Sequence, residues 1–348
     1  MAVVNKLSIQ NIRSHELFQA TFSPNVTIII GKNGSGKTSI LEAIYLALRG
    51  VSFKGGDFDL LKHGSTWWRV ELELKPKTTR IITFDSSLNS GRKKFNLDEK
   101  INYRLLAKNK YPTVLFEPDD LRLLNGSPAR RRRFIDNFIS QLDPSYTNAL
   151  HKYDRALKQR NNILKTSKAT KDELFVWDIT LSEYGAYIIE KRIAFIEQIN
   201  SRLSEAYNKI AKSKDSITVH YSNTYISDIK QKILNDLHQH QQKDKIIGFT
   251  SVGPHRHDVV FRFNNSPAID VASRGEVRSI VLALKFLEVE IIEKITNQKP
   301  IILLDDVFSE LDDDRQKSLF LDSHQVIITS TKLPEKIKEV VKTIKLGC

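Results

Sequence analysis

Eight consecutive residues, Gly31-Lys32-Asn33-Gly34-Ser35-Gly36-Lys37-Thr38, restrict what this 348-residue chain can fold into more than any other feature. They fit the pattern G-x-x-x-x-G-K-[ST], which has physical meaning only where it joins a strand to a helix. Both flanks are present. Residues 26–30 are a Val- and Ile-rich run that ends at a glycine, as a buried strand does. Residues 38–49 put Ile40, Leu41, Ile44, Tyr45 and Leu48 on one helical face. Such a turn aims backbone N–H groups at an anion, and the helix start adds partial positive charge. Lys37 is then placed to reach the β and γ phosphates of ATP, and the Thr38 hydroxyl to hold magnesium (Mg2+). A chance glycine-rich turn would need neither flank.

A second motif lies near the other end of the chain. Ile301-Ile302-Leu303-Leu304-Asp305-Asp306 reads as a buried strand with two carboxylates at its C-terminal end, where open α/β sheets bind ligands. Asp305 is expected to hold magnesium, and Asp306 to orient or deprotonate an attacking water. Alone, these residues read equally well as a strand ending in an acidic turn. A third motif, Ser273-Arg274-Gly275-Glu276, precedes a helix predicted over residues 277–294. Ser273 and Gly275 offer amides to an anion there, although Ser-x-x-Glu is also an ordinary capping box. One helix before the carboxylates, the motif resembles the signature with which ATP-binding-cassette heads cap the γ-phosphate of an opposite subunit. Ser309-Glu310-Leu311-Asp312 stands where that class has a loop crossing the dimer interface.

Strand-like sequence lies at both ends, at residues 7–9, 17–22, 26–30, 70–74 and 80–84, and again at 259–263, 301–304 and 325–329. Between them, residues 128–212 are helical and charged, with breaks at Asp143-Pro144 and residues 166–170. Residues 228–245 read as a helix followed by a loop. One head built from both termini explains this order better than two successive domains. The expected fold is an α/β P-loop ATPase head of the cassette type, residues 1–110 and 246–348, with a helical arm or lid at 111–245. The arm's longest helix is expected to run ~40 residues, or ~60 Å.

Composition limits the setting. Apolar residues at 40% and charged residues at 27% are those of a soluble globular protein. The single cysteine, Cys348, rules out a disulfide within the chain and any cysteine-based zinc site. No run of ~18 apolar residues predicts a membrane span, and residues 1–10 lack a signal-peptide core. A reducing cytoplasm is expected. The net charge of +13 points to a polyanionic partner. It is uneven: residues 127–171 hold eleven Lys and Arg against three Asp and Glu. Arg130, Arg131, Arg132 and Arg133 fan around a helix and cannot serve one surface, so some are expected to pair with Asp136 or the head. Lys152, Arg155, Lys158, Gln159 and Lys165 fall nearer one face and are candidate phosphate contacts, the alternative being a solvated helix face. His255-Arg256-His257-Asp258 reads as a polar hinge between head and arm rather than a metal site, because the arginine opposes a cation. Trp67 and Trp68 read as one core and one surface aromatic, not as stacking platforms.

These motifs together resemble the RecF family of bacterial DNA replication and repair proteins, relatives of the chromosome-maintenance ATPase heads. The likeness runs the whole length: Leu7-Ser8-Ile9-Gln10-Asn11-Ile12-Arg13, the phosphate loop with Leu41-Glu42-Ala43-Ile44-Tyr45, and Phe116, Pro118, Asp120 and Leu121 before Gly126-Ser127-Pro128 and Arg131-Arg132-Arg133-Phe134-Ile135-Asp136. It continues through Leu157-Lys158-Gln159-Arg160-Asn161, Gly253-Pro254-His255-Arg256 and the stretch from Leu304 to Asp312. The chain departs from the family at three places. The signature is Ser-Arg-Gly-Glu where Ser-Gln-Gly-Gln is usual. His257 replaces an aspartate, and Thr329-Ser330-Thr331 ends the last strand where transporter cassettes place a histidine.

The resemblance implies a nucleotide-facing role for Arg13, and a head-to-head homodimer in which ATP lies between the phosphate loop and Ser273, Gly275 and Glu276 of the other subunit. It implies slow, DNA-stimulated hydrolysis and a clamp on double-stranded DNA near single-strand junctions, with Lys152, Arg155, Lys158, Arg160 and Lys165 as candidate DNA contacts. RecR and RecO are the implied partners and RecA loading the output. Two rivals stay open: a transporter cassette, and a DNA-binding scaffold that binds ATP without turning it over.

Overall fold

The computed structural model describes residues 3–76, 78–88, 91–97, 100–166, 170–223, 225, 227–307, 323–332 and 341–347. Backbone packing divides the chain into two units, Met1–Leu121 with Glu288–Cys348, and Arg122–Leu287.

The first unit begins with β1 (Val3–Ile12), β2 (His15–Thr21), β3 (Val26–Ile30) and α1 (Lys37–Arg49). Then come β4 (Trp67–Lys75), β5 (Thr78–Asp85), β6 (Lys94–Leu97), β7 (Lys100–Asn102) and β8 (Thr113–Phe116). Six of these strands form an antiparallel sheet in the order β2-β1-β4-β5-β6-β7. Strict alternation in β4 buries Trp68, Val70, Leu72 and Leu74 on one face and leaves Trp67 exposed on the other.

The second unit holds α2 (Pro128–Leu142), α3 (Pro144–Leu164), the 41-residue α4 (Lys171–Ala211) and β9 (Ile217–Ser222). It continues with α5 (Ile229–Gln239), α6 (Gln241–Ile247), β10 (Asp258–Phe263), β11 (Ser266–Pro267) and α7 (Ala268–Val271). The three long helices start where local chemistry says they should. Ser127 caps α2 ahead of Pro128, Asp143 caps α3 ahead of Pro144, and Thr170 with Glu173 forms a capping box on α4. The chain then returns to the first unit along α8 (Arg274–Thr296), which leads into β12 (Ile301–Leu304), β13 (Val326–Ser330) and β14 (Lys342–Lys345).

Those last strands complete a second sheet, fully parallel, in the order β14-β3-β13-β12-β8. Helix α1 touches both sheets, and its residues from Ser39 to Leu48 are buried except Tyr45. A helix apolar around most of its girth is what a position between two layers demands. Gln325 fastens the chain's two ends: its amide accepts from Val4 N (2.8 Å) and donates to Val4 O (2.8 Å) and Ser23 O (2.7 Å).

The unit boundaries differ from the expected ones. Residues 111–121 fall in the first unit because β8 pairs with β12, Thr113 opposite Ile301. Residues 246–287 fall in the second because β10 pairs with β9, Val260 opposite His220. The segment read as helix then loop at 228–245 is two helices, α5 and α6.

Candidate functional site

The phosphate loop runs from β3 into α1 as its motif requires. Gly36, the residue before α1, has φ 88°, and a Cβ there would collide with His15 and Ser14. A Cβ on Gly31 would collide with the Ser35 hydroxyl. No side chain caps α1; the amides of Ser39 and Ile40 turn back to Gly36 O (3.0 and 3.3 Å), and those of Lys37 and Thr38 head the helix. The Ser35 Oγ is buried without a hydrogen-bond partner among the described residues. An uncapped helix start, a cradle with no room for side chains and an orphaned hydroxyl together fit a bound phosphate chain. The Lys37 side chain is buried and donates to the carbonyls of Gly31 (2.9 Å) and Lys32 (3.1 Å).

The two carboxylates meet this loop. The Thr38 hydroxyl donates to Asp305 Oδ1 at 2.8 Å across 267 residues of sequence. Lys37 Nζ lies 3.7 Å from Asp306 Oδ2. Burial pushes the Asp306 carboxyl up; the neighbouring Lys37 opposes that shift and the charge of Asp305 reinforces it. A threonine hydroxyl beside a carboxylate is an all-oxygen donor pair suited to magnesium, which keeps much of its coordination for phosphate and water. Thr38, Asp305, Asp306 and Lys37 are therefore brought together.

Four further residues belong to the same region. His15 Nε2 lies 3.1 Å from Gly36 O and braces the loop. Lys54 Nζ is 3.6 Å from Asp305 Oδ2. Thr329 Oγ1 donates to Asp305 Oδ1 (2.9 Å) and accepts from Asp306 N (2.9 Å). The buried carboxylate of Glu42 takes both Arg13 Nε (2.7 Å) and Nη2 (2.9 Å), and also bonds the Ser52 hydroxyl. Arg13, expected to face nucleotide, is thus forked onto α1 itself. The polar Glu42 inside an apolar helix was the one signal in the sequence for this pair.

Ser273 and Glu276 form a reciprocal capping box at the start of α8. Ser273 N donates to Glu276 Oε2 (2.6 Å), and Ser273 Oγ accepts from Glu276 N (3.3 Å). Gly275 lies in the first turn of that helix. These residues belong to the second unit and the phosphate loop to the first. Residues 309–312 lie outside the described residues.

Of the candidate DNA contacts on α3, Lys152, Arg155, Lys158 and Lys165 are exposed, with Lys152 donating to the Tyr184 hydroxyl at 2.8 Å. Arg160 is not available. It is fully buried and donates to Asp178 (2.6 Å), Asp244 (2.7 Å) and Thr250 (2.9 Å), linking α3, α4 and α6. In the arginine run, Arg131 forks onto Asp258 (2.8 and 2.7 Å), while Asp136 is taken by Arg192 of α4.

The segment 255–258 is no hinge between units, since it lies inside the second. His255 Nε2 sits 3.1 Å from Thr250 O, so it carries the proton, and Nδ1 accepts from the Tyr153 hydroxyl at 2.7 Å. His257 meets the Tyr221 hydroxyl at 2.9 Å. Burial, aided by nearby arginines, lowers both imidazoles to about 4. No cluster of metal-ligating side chains occurs among the described residues.

Residues 6–346 match the family model of an AAA domain. The DNA replication and repair protein RecF of Alkaliphilus oremlandii is 35% identical over 353 residues, covering 97% of this chain and 95% of that protein. RecF of Streptococcus agalactiae serotype V is 36% identical, covering 95% and 92%. A solved structure of the recombination mediator protein RecF with ATP, from the RecFOR pathway, matches with a TM-score of 0.87 at 29% identity, covering 96% and 93%. The Smc head domain of Pyrococcus furiosus, at 19% identity, covers 95% and 90% with a TM-score of 0.51 and shares the fold alone. The fold is thus the α/β cassette-type ATPase head read from the motifs.

Proposed function

This chain belongs to the RecF family of DNA replication and repair proteins, and on that premise we propose that it is an ATP-driven clamp on double-stranded DNA. The observation that carries the proposal is the 2.8 Å contact between Thr38 and Asp305, which joins the two halves of a nucleotide site. ATP lies along residues 31–38, its phosphates held by the α1 amides and by Lys37, which exchanges its carbonyl partners for phosphate oxygens. Thr38 and Asp305 hold magnesium, which when bound offsets charge on the β and γ phosphates. Asp306 accepts a hydrogen bond from the attacking water and takes its proton as the bond to the γ-phosphorus forms, leaving ADP and inorganic phosphate.

Two copies assemble head to head, each presenting Ser273, Gly275 and Glu276 to the other's γ-phosphate. The closed dimer holds duplex DNA near a single-strand junction, with Lys152, Arg155, Lys158 and Lys165 among the phosphate contacts, and slow DNA-stimulated hydrolysis reopens it. RecR and RecO are the partners, a reading that the RecFOR setting of the solved relative supports, and RecA loading is the output. Cytoplasmic location follows from that role. The test is mass in solution with and without ATP and a DNA duplex, for the native chain and for Ser273→Arg. The native chain should double in mass only with ATP, and the variant should bind ATP yet stay single. A variant that still doubles with ATP removes Ser273 from the dimer contact.

A further inference from the structure

Asp305 and Asp306 are adjacent in sequence, yet both reach the phosphate loop: one meets Thr38 at 2.8 Å, the other lies 3.7 Å from Lys37. Extended backbone forbids this, because successive side chains point to opposite faces. The chain resolves the conflict at Asp306, whose φ of 49° is left-handed. Residues other than glycine adopt that conformation uncommonly, aspartate and asparagine more readily than the rest. Something must hold the kink.

Thr329 does so with one hydroxyl. It is fully buried on β13, and β13 pairs with β12, where Leu304 stands opposite Ile328. Thr329 therefore stands beside Asp305, one step past the last pair. Its Oγ1 accepts the Asp306 N–H (2.9 Å) and donates to Asp305 Oδ1 (2.9 Å). A hydroxyl has one proton to give, and here it is given to one aspartate while the lone pairs hold the other's backbone.

The remaining partners of Asp305 are of another kind. Thr38 is itself a candidate magnesium ligand: a lone pair of its oxygen would face the ion while its one proton stays on Asp305, so this contact belongs to the loop's own ligand chemistry. Lys54 is part-exposed and 3.6 Å away, a loose pair that a divalent cation can displace. Thr329, which reaches the pair from β13 and not from the loop, bonds both the Asp305 carboxylate and the Asp306 backbone.

We propose that Thr329 is a positioning residue for ATP turnover: its hydroxyl fixes the Asp305 carboxylate and the Asp306 turn as one unit, with and without ligand. The proposal rests on the reading of Asp305 and Asp306 as the magnesium and water residues. It also assigns a role to the strand end where transporter cassettes carry a histidine.

The experiment compares Thr329→Val, which keeps the shape and removes the hydroxyl, with Thr329→Ser, which keeps the hydroxyl. Two quantities are read on each: the rate of ATP hydrolysis at saturating magnesium, and the magnesium concentration at half-maximal ATP binding. Valine should slow hydrolysis about ten- to a hundredfold with little change in KM, and raise the magnesium requirement several-fold. Serine should restore both. Should valine not fold, alanine takes its place. A folded hydroxyl-free variant with native rate and native magnesium requirement overturns the proposal. So does a serine variant as impaired as valine, which would show that the hydroxyl does not by itself fix the pair. A native chain that never hydrolyses ATP sinks the turnover reading instead, and the magnesium requirement of ATP binding still decides the role of Thr329.

Discussion

The carboxylates of the nucleotide site and the buried arginines of the second unit handle charge in opposite ways. At the paired aspartates beside the phosphate loop the ion pairs are long, 3.7 Å for Lys37 with Asp306 and 3.6 Å for Lys54 with Asp305. In the second unit they are short and forked: Arg160 meets Asp178 at 2.6 Å and Asp244 at 2.7 Å, and Arg192 meets Asp136 at 2.8 Å. Charge-assisted hydrogen bonds settle at roughly 2.7–2.9 Å. The buried arginines have reached that distance, Arg13 on Glu42 at 2.7 Å included, and the pairs at Asp305 and Asp306 have not. Long pairs next to an orphaned hydroxyl mark charges whose partner arrives from outside. Short forks in a buried site mark charges whose partners are already in the chain.

That contrast can be broken at both ends. The largest effect is expected from Lys37→Ala, which should weaken ATP binding by on the order of a hundredfold or more. It should leave the nucleotide-free melting temperature within a few degrees, so calorimetric titration and thermal melting must disagree about its severity. A variant that melts early but still binds ATP would place Lys37 with the structural charges.

Next is Arg160→Ala, which strands the buried carboxylates of Asp178 and Asp244 and should cost about 3–5 kcal/mol in denaturant unfolding. Lys158→Ala, two positions earlier on the exposed face of α3, should change stability by less than ~0.5 kcal/mol. It should instead lower the salt slope of duplex binding by about 1. Equal stability losses in the two variants would erase the distinction between them.

A third contrast is acid sensitivity. His255 and His257 stay neutral in the fold down to about 4, whereas unfolded histidine takes a proton near 6.5. Between those values the unfolded chain binds more protons, so stability present above pH 6.5 is lost as pH falls toward 4, by about 2–3 kcal/mol per histidine at most. Chemical denaturation at pH 7.5 and pH 5 should show the loss, and His257→Gln should reduce it. Equal stability at both pH values would mean that these imidazoles carry protons in the fold.

The sequence carried the centre of the site and little of its support. Residues 31–38 and the pair Asp305-Asp306 are local patterns, legible because strand, turn and helix are contiguous. The arm helices were legible for the same reason, through Ser127-Pro128, Asp143-Pro144 and Thr170 with Glu173. His15, Lys54 and Thr329 carry no local pattern; strand pairing and loop return bring them to the site. Arg160 was misplaced although its signal was present. It continues the stripe Tyr146, Ala149, Tyr153, Ala156, Arg160, Leu164, the buried face of α3. Reading charge before periodicity put it on the wrong side of the helix. The strands β6, β7 and β14 are short, with no clean alternation to reveal them.

Gln325 binds Val4 and Ser23 across 321 and 302 residues, and β3 sits between β13 and β14 in the parallel sheet. During synthesis on the ribosome, β3 therefore leaves the exit tunnel some 300 residues before either neighbour exists, a wait of roughly 15–60 s at ordinary elongation speeds. For that interval its apolar run has two open edges, which is a hazard for association with other chains. The phosphate loop is likewise made long before its carboxylates. A nascent chain can neither complete the nucleotide site nor fire it, so a truncated product is silent rather than wrongly active.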